Sequence, residues 1–194
     1  MTLEARLRAA LAGAPPADLL LNDAREPAGP DVVLTAAAVL VPITDRAEPG
    51  VILTERLATL RRHAGQIAFP GGRIDPEDDG PVAAALREAE EEIALPRHVP
   101  RVIGTADRYQ TGTGYAVTPV VAMVPADLDF VPNAGEVADV FEVPLAFLLD
   151  SANHREASLN WQGRERHFYE INWGSRRIWG ATAAMIVNLA RRLA

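Results

Sequence analysis

Residues 78–96 read DDGPVAAALREAEEEIALP, and no other stretch restricts the fold of the chain as much. Val82, Leu86, Ala89 and Ile93 recur at i, i+4, i+7 and i+11, one stripe of a 3.6-residue period. Pro81 suits the first helical position, where its missing N–H costs nothing. Asp78 and Asp79 suit the positive end of the helix dipole, and Pro96 stands just past the C-terminus. A helix is therefore predicted that buries one side and presents carboxylates on another. Glu88, Glu91 and Glu92 lie one turn apart in it, and each like-charge neighbour costs roughly 0.2–0.5 kcal/mol. Something positive should offset that repulsion.

The segments around this helix alternate in kind. LEARLRAALAG carries Leu3, Leu7 and Leu11 on one stripe, with Gly13 to end a first helix, and residues 14–30 read as a connecting arm. TAAAVLVPIT and GVILTER are strand-like and are separated by the turn composition DRAEPG. GQIAFPGG is a short strand running into a glycine loop. RVIGTADRY and GYAVTPVVAMVP are strands around QTGTG, which is either a substrate loop or a hairpin tip. DVFEVPLAFLLD is a strand entering a short helix at Pro144, SLNWQGRERHFYEINW is a hairpin turning at Gln162 and Gly163, and IWGATAAMIVNLARRLA is a C-terminal helix apolar enough to dock on a sheet. Strands of several lengths with interleaved helices indicate an α/β sandwich.

Length and charge narrow the possibilities further. A chain of 194 residues fits one domain with a real core, and 48% hydrophobic with 23% charged residues is globular. The formal charge of −7 argues against non-specific nucleic-acid binding, which needs a basic field over phosphates. All 19 basic residues are arginine, so any phosphate contact is a planar guanidinium fork. The absence of cysteine excludes disulfides, thiolate metal sites and a cysteine nucleophile. The N-terminal segment lacks a signal-peptide core. VVLTAAAVLVPI is shorter than the roughly 20 residues that span a bilayer, so a cytoplasmic protein without a membrane partner is expected. A monomer and a homodimer both remain open.

Carboxylates converging from one helix face make a hard-oxygen site suited to Mg²⁺ or Mn²⁺. The histidines His63, His98, His154 and His167 show no metal-ligand spacing. A magnesium ion held by few protein ligands seeks phosphate oxygens, which points to phosphoryl chemistry. Taken alone the glutamates could be a solvated acidic face. Their context, with Arg87 ahead of them and the double glycine Gly71 and Gly72 upstream, changes that reading.

GGRIDPEDDGPVAAALREAEEEIAL as a whole resembles the signature of the Nudix hydrolases, in which a glycine loop leads to an Arg-Glu, apolar, any, Glu-Glu helix. Arg87 and Glu88 match the Arg-Glu pair, Ala89 the apolar position, and Glu91 and Glu92 the paired glutamates. The resemblance implies an α/β/α sandwich with a mixed central sheet, a single domain over 1–194 with its core in 31–194, and divalent metal on Glu88, Glu91 and Glu92. It also implies that Arg87 holds a carboxylate in place by a bidentate fork. The pattern departs at Asp79, where a glutamate is usual, at a glycine spacing one residue longer, and at Ala94, where glycine is usual.

Upstream, LTERLATLRRHAGQIAFPGG is similar to the companion signature of the coenzyme A pyrophosphatase subfamily through Leu53, Thr54, Arg56, Arg61, Gly65, Phe69, Pro70, Gly71 and Gly72, with Leu57 in place of a small residue. The similarity implies hydrolysis of the coenzyme A diphosphate to 3′,5′-ADP and 4′-phosphopantetheine. Arg56 and Arg61 are then candidate phosphate partners beside Gly71 and Gly72. The general base is either a glutamate of the helix or Glu136 in GEVADVF. A hydrolase for ADP-ribose, NADH or FAD, and a non-catalytic nucleotide sensor, are the alternatives.

Overall fold

The computed structural model describes residues 1–20, 22, 33–60, 63–161 and 164–194. Most of the arm, Arg61, and the turn expected at Gln162 and Gly163 lie outside the described residues. Strands β1 (Thr35–Thr44) and β2 (Gly50–Arg56) coincide with TAAAVLVPIT and GVILTER, and they pair antiparallel with Ile43 opposite Val51. On the other side of β1 lies β7 (Tyr115–Val124), parallel to it from Thr35 opposite Tyr115 to Thr44 opposite Val124. A parallel pair needs a crossover, and the chain between the two strands carries the acidic helix α2 (Gly80–Ile93). Both strands are covered on both faces, which explains their nearly continuous apolar runs.

The remaining strands extend this pair. Among the described residues the order is β3 (Ile67–Ala68), β2, β1, β7, β5 (Arg101–Thr105), with β4 (Gly71–Arg73) beside β1, β6 (Tyr109–Gln110) beside β7, and β8 (Val137–Pro144) beside β2. Apart from β1 with β7, these pairs are antiparallel, so the sheet is mixed. Alternation along the strands then fills two cores. Ala38, Leu40, Val120, Ala122 and Val124 face Ala84, Ala85, Ala89 and Ile93 of α2. On the other face, Val41, Ile43, Val121 and Met123 pack in one cluster with Leu7 of α1 (Leu3–Ala12), Leu148 of α3 (Leu145–Leu149) and Ile186 of α4 (Ala181–Leu193). A second sheet of β9 (Arg155–Trp161), β10 (Arg164–Trp173) and β11 (Arg176–Trp179) adds Ile171 and Ile178 to that cluster. Asn188 ties the start of the arm to α4, since its amide donates to Leu20 O at 2.7 Å and accepts from Leu20 N at 2.8 Å. Among the described residues, no helix is long and apolar enough to cross a membrane.

The buried face of α2 keeps Ala89 and Ile93 of the expected stripe and adds residues beside them. Ala84, Ala85, Ala89, Glu92 and Ile93 are buried, while Val82 and Leu86 sit at the margin. Three alanines let the helix lie close to the sheet, and Glu92 is carried into the contact with them. The expected separation of an apolar side from a carboxylate side holds for Glu90 and Glu91 and fails for Glu92. At the helix end Ala94 takes a left-handed conformation, φ 56° and ψ 31°. Its N–H bonds Glu90 O at 3.0 Å, an αL closure, and the N–H of Leu95 bonds Ala89 O at 3.3 Å. A side chain is strained in that conformation and glycine is not. Ala94 is exposed, so Ala94→Gly loses no packing; a gain of about 0.5–1 kcal/mol is expected, read as a Tm rise of about 1–4 °C. An unchanged or lower Tm would count against the strain.

Candidate active site

Two glycines bring the sheet and α2 together. A Cβ on Gly71 would lie 2.4 Å from Ala38 O and 2.6 Å from Val39 Cα, because β4 runs directly against β1 there. A Cβ on Gly72 would lie 2.4 Å from Glu88 Oε1 and 2.5 Å from its carboxyl carbon. The missing side chains thus make room for β1 backbone at one residue and for a carboxylate at the next. The Gly71 N–H donates to Glu92 Oε2 at 3.1 Å, so Glu92 and Glu88 are received by consecutive residues of one loop.

Arg87 organises the opposite side of the site. Its Nε and Nη2 fork onto Asp78 at 3.0 and 2.8 Å, Nη1 donates to Glu88 at 2.9 Å and to Glu91 at 3.3 Å, and Nη2 also reaches Arg73 O at 3.0 Å. The expected bidentate fork therefore exists, and the carboxylate it grips is Asp78, which the sequence pattern did not single out as a partner. That hydrogen bond holds the Asp78 carboxyl below its ordinary range. Asp78 also accepts the Asp75 N–H at 2.8 Å, so the loop ahead of α2 and the helix are locked by one ion pair.

The glutamates separate by environment. Glu92 is 4% exposed, and burial pushes its carboxyl up to about 7, partly offset by the Gly71 N–H; the charge of Glu88 raises it, Arg56 lowers it, and Glu136 raises it. Glu88 is half-buried and also raised, first by burial and against the pull of Arg87, with Glu91 and Glu136 adding like charge. Glu91 is exposed and turned to Arg87. Glu90 points elsewhere and pairs with Arg97 at 2.7 Å.

Among the described residues no three acidic or histidine side chains already converge as a ligand set. Glu88 and Glu92 nevertheless make a donor pair that fits a hard dication. Both are carboxylates held in a low-dielectric contact, burial and neighbouring like charge make each harder to ionise, and nearby positive charge reverses that tendency.

Arg56 ends β2 with Nη1 3.8 Å from Glu92 Oε1. Its Nε is buried without a hydrogen-bond partner among the described residues, while the side chain as a whole is partly exposed. Glu136 is exposed just before β8, and the Leu57 N–H bonds its carbonyl at 2.9 Å, which places it beside Arg56. QTGTG closes on itself as the tip between β6 and β7, through Thr111 N to Tyr115 O at 2.9 Å and Tyr115 N to Thr111 Oγ1 at 3.1 Å. Two of the histidines serve local structure, His63 with Gln66 and His154 with Leu148 O.

The chain is similar to known proteins in sequence and in fold. The NUDIX domain family matches residues 34–162. A Yersinia pestis (strain Pestoides F) protein named "Uncharacterized Nudix hydrolase NudL" is 43% identical over 157 residues, 81% of this chain and 79% of that one, and a Yersinia pseudotuberculosis serotype O:1b protein of the same name matches equally. Among solved structures, the Nudix hydrolase RenU from M. smegmatis aligns with TM-score 0.50 at 28% identity, covering 58% of this chain and 71% of that one. A MutT/nudix family protein from Enterococcus faecalis aligns with TM-score 0.50 at 13% identity over 81% of this chain and 60% of that one, a likeness of fold.

Proposed function

The chain belongs to the NUDIX domain family and is a Nudix hydrolase, and from that premise we propose that it hydrolyses the diphosphate of coenzyme A to 3′,5′-ADP and 4′-phosphopantetheine. The observation that carries the reading is the position of Arg56. The segment LTERLATLRRHAGQIAFPGG, similar to the coenzyme A pyrophosphatase signature, runs through β2, β3 and β4 and delivers both Arg56 and the Gly71–Gly72 pair to the buried Glu92. A partly exposed guanidinium beside the buried Glu92 suits a substrate that brings several anionic oxygens.

In this assignment Glu88 and Glu92, with Glu91 beside them, would hold the cation. A bound Mg²⁺ or Mn²⁺ supplies neutralisation of the diphosphate oxygens and a water of lowered pKa. Arg87 keeps Glu88 oriented while it grips Asp78. Arg56 and Arg61 fork onto phosphate, while Gly71 and Gly72, expected beside the substrate, instead seat β4 against β1 and admit the Glu88 carboxylate. Glu136, exposed and beside Arg56, accepts the proton of the attacking water, with a glutamate of the helix as the other candidate. Water adds to one phosphorus, its bond to the bridging oxygen breaks, and the other half of the molecule leaves with that oxygen as a phosphate monoester, so that the two monoesters are the products.

Product analysis by chromatography and mass spectrometry tests this directly. Coenzyme A, ADP-ribose, NADH and FAD are compared with Mg²⁺, with Mn²⁺ and with chelator. The expected result is cation-dependent release of 3′,5′-ADP and 4′-phosphopantetheine, with kcat/KM at least tenfold above the other substrates. Preference for one of the others would move the substrate assignment, and ligand-induced thermal stabilisation without turnover on any of them would replace it with a nucleotide sensor.

A further inference from the structure

The structure places an arginine of the second sheet on the strand pair that carries two of the site residues. Strands β2 and β8 pair regularly from Gly50 opposite Pro144 to Glu55 opposite Asp139, and then the register slips, so that Arg56 faces Val137 and the exposed Ala138 is left without an opposite number. Such a bulge re-aims the side chains next to it. Here those are Arg56, 3.8 Å from Glu92, and Glu136, whose carbonyl takes the Leu57 N–H at 2.9 Å.

The last regular pair before the slip is unfavourable on its own. Glu55 and Asp139 are like charges directly opposite each other on antiparallel strands, an arrangement that pushes the strands apart. Arg176, from β11, spans both. Its Nη1 donates to Glu55 Oε2 at 3.1 Å and its Nη2 to Asp139 Oδ2 at 2.5 Å, while the guanidinium lies over the Phe141 ring with Cζ 3.7 Å from the centroid. Fork and stack together need a planar cation of fixed geometry, which a lysine ammonium does not provide.

We infer that Arg176 is a positioning residue of the hydrolase site: by bridging Glu55 and Asp139 it holds the β2–β8 slip in the register that sets Arg56 and Glu136 beside Glu88 and Glu92. Arg176 touches none of these four. Its effect on turnover rests on the function proposed above, whereas its effect on the strand pair does not.

The test uses the full chain as Arg176→Met, Arg176→Lys and the triple variant Glu55→Gln/Asp139→Asn/Arg176→Met, each measured for coenzyme A hydrolysis at saturating Mg²⁺ and for amide hydrogen exchange at Leu57. Arg176→Met is expected to lower kcat about tenfold through Glu136 and raise KM several-fold through Arg56, with Leu57 exchange faster by about tenfold. Arg176→Lys stays impaired. The triple variant, which lacks the repulsion, returns kcat to within about threefold of wild type and Leu57 exchange towards it. Wild-type kcat and KM per folded molecule in Arg176→Met, or a triple variant no better than Arg176→Met, would overturn the inference. If the wild-type protein cleaves no diphosphate at all, the functional reading falls by itself, and the Leu57 exchange rates still decide the role of Arg176: unchanged exchange in Arg176→Met rejects it.

Discussion

Replacing Glu92 with glutamine is expected to abolish most activity and to stabilise the metal-free protein at the same time. The amide keeps the shape and an oxygen for the Gly71 N–H while removing the charge. Under the proposed assignment, Mg²⁺-dependent release of 3′,5′-ADP falls on the order of 10²–10³-fold, the loss of a few kcal/mol of transition-state stabilisation. Stability moves the other way with pH. The Glu92 carboxyl is raised from 4.5 to about 7 by burial, so between those values the folded protein binds more protons than the unfolded chain, and stability falls as pH rises through that window. Below the window Glu92 is neutral in both states and costs nothing as a buried charge. Above it the ionised form is destabilising by about 3 kcal/mol at most, since a tenfold change in proton affinity corresponds to about 1.4 kcal/mol. Melting in chelator should therefore find Glu92→Gln close to wild type at pH 4.5 and several degrees higher at pH 8. Equal gaps at both values would count against the buried charge, and undiminished turnover would count against Glu92 as a ligand.

Gly71→Ala is expected to be among the most damaging single-methyl additions in the protein. The new Cβ would meet backbone atoms of β1, Ala38 O at 2.4 Å and Val39 Cα at 2.6 Å, and neither can rotate away as a side-chain tip could. Relief requires β4 to separate from β1, whose partners Ala37, Ala38 and Val39 face Arg73, Gly72 and Gly71. Overpacking of this kind costs about 1–3 kcal/mol, and a loss of about 2–3 kcal/mol lowers Tm by about 5–10 °C in a domain of this size. The Gly71 N–H would also be drawn from Glu92, so Mg²⁺-dependent activity should fall further than stability alone explains. Gly13→Ala is the control. Its φ is −70° and its Cβ would meet nothing closer than 3.4 Å, so Tm should stay within about 1 °C of wild type. A Tm for Gly71→Ala as close as that would refute the close approach.

Much of the architecture was legible before any coordinate, and for a local reason. The runs TAAAVLVPIT and GVILTER became β1 and β2 without adjustment because β-branched and apolar residues bounded by turn chemistry specify an extended segment on their own. The acidic helix was equally clear from its period, from Pro81 and from Pro96. Of its apolar stripe, Ala89 and Ile93 are buried and Val82 and Leu86 pack at the edge of the same cluster, whereas the burial of Ala84 and Ala85 beside it does not follow from the period. Small residues say little about burial in a sequence, yet they allow the closest approach once a partner surface exists. The separation of Glu90 from the other glutamates was readable from helical geometry, and its pairing with Arg97 agrees with that.

The partners of the charged residues lay beyond that reach. Arg87 and Asp78 are nine positions apart across a loop, and Arg176 is 121 positions from Glu55, so no periodicity connects them. The sequence by itself determined most of the elements and their order, though not β4 in the expected glycine loop or β11 at the start of the segment read as the C-terminal helix, and it determined the chemical type of the site, a set of carboxylates with guanidinium partners. Only the tertiary structure decided that Glu92 is the buried carboxylate and Glu91 the exposed one, that the Arg87 fork closes on Asp78, and that a second sheet reaches the strand pair bearing Arg56 and Glu136. Secondary structure follows from interactions within a few residues, which the sequence displays. Desolvation and ion pairing depend on which surfaces meet, and a charge acquires its strength only from the medium that the folded chain builds around it.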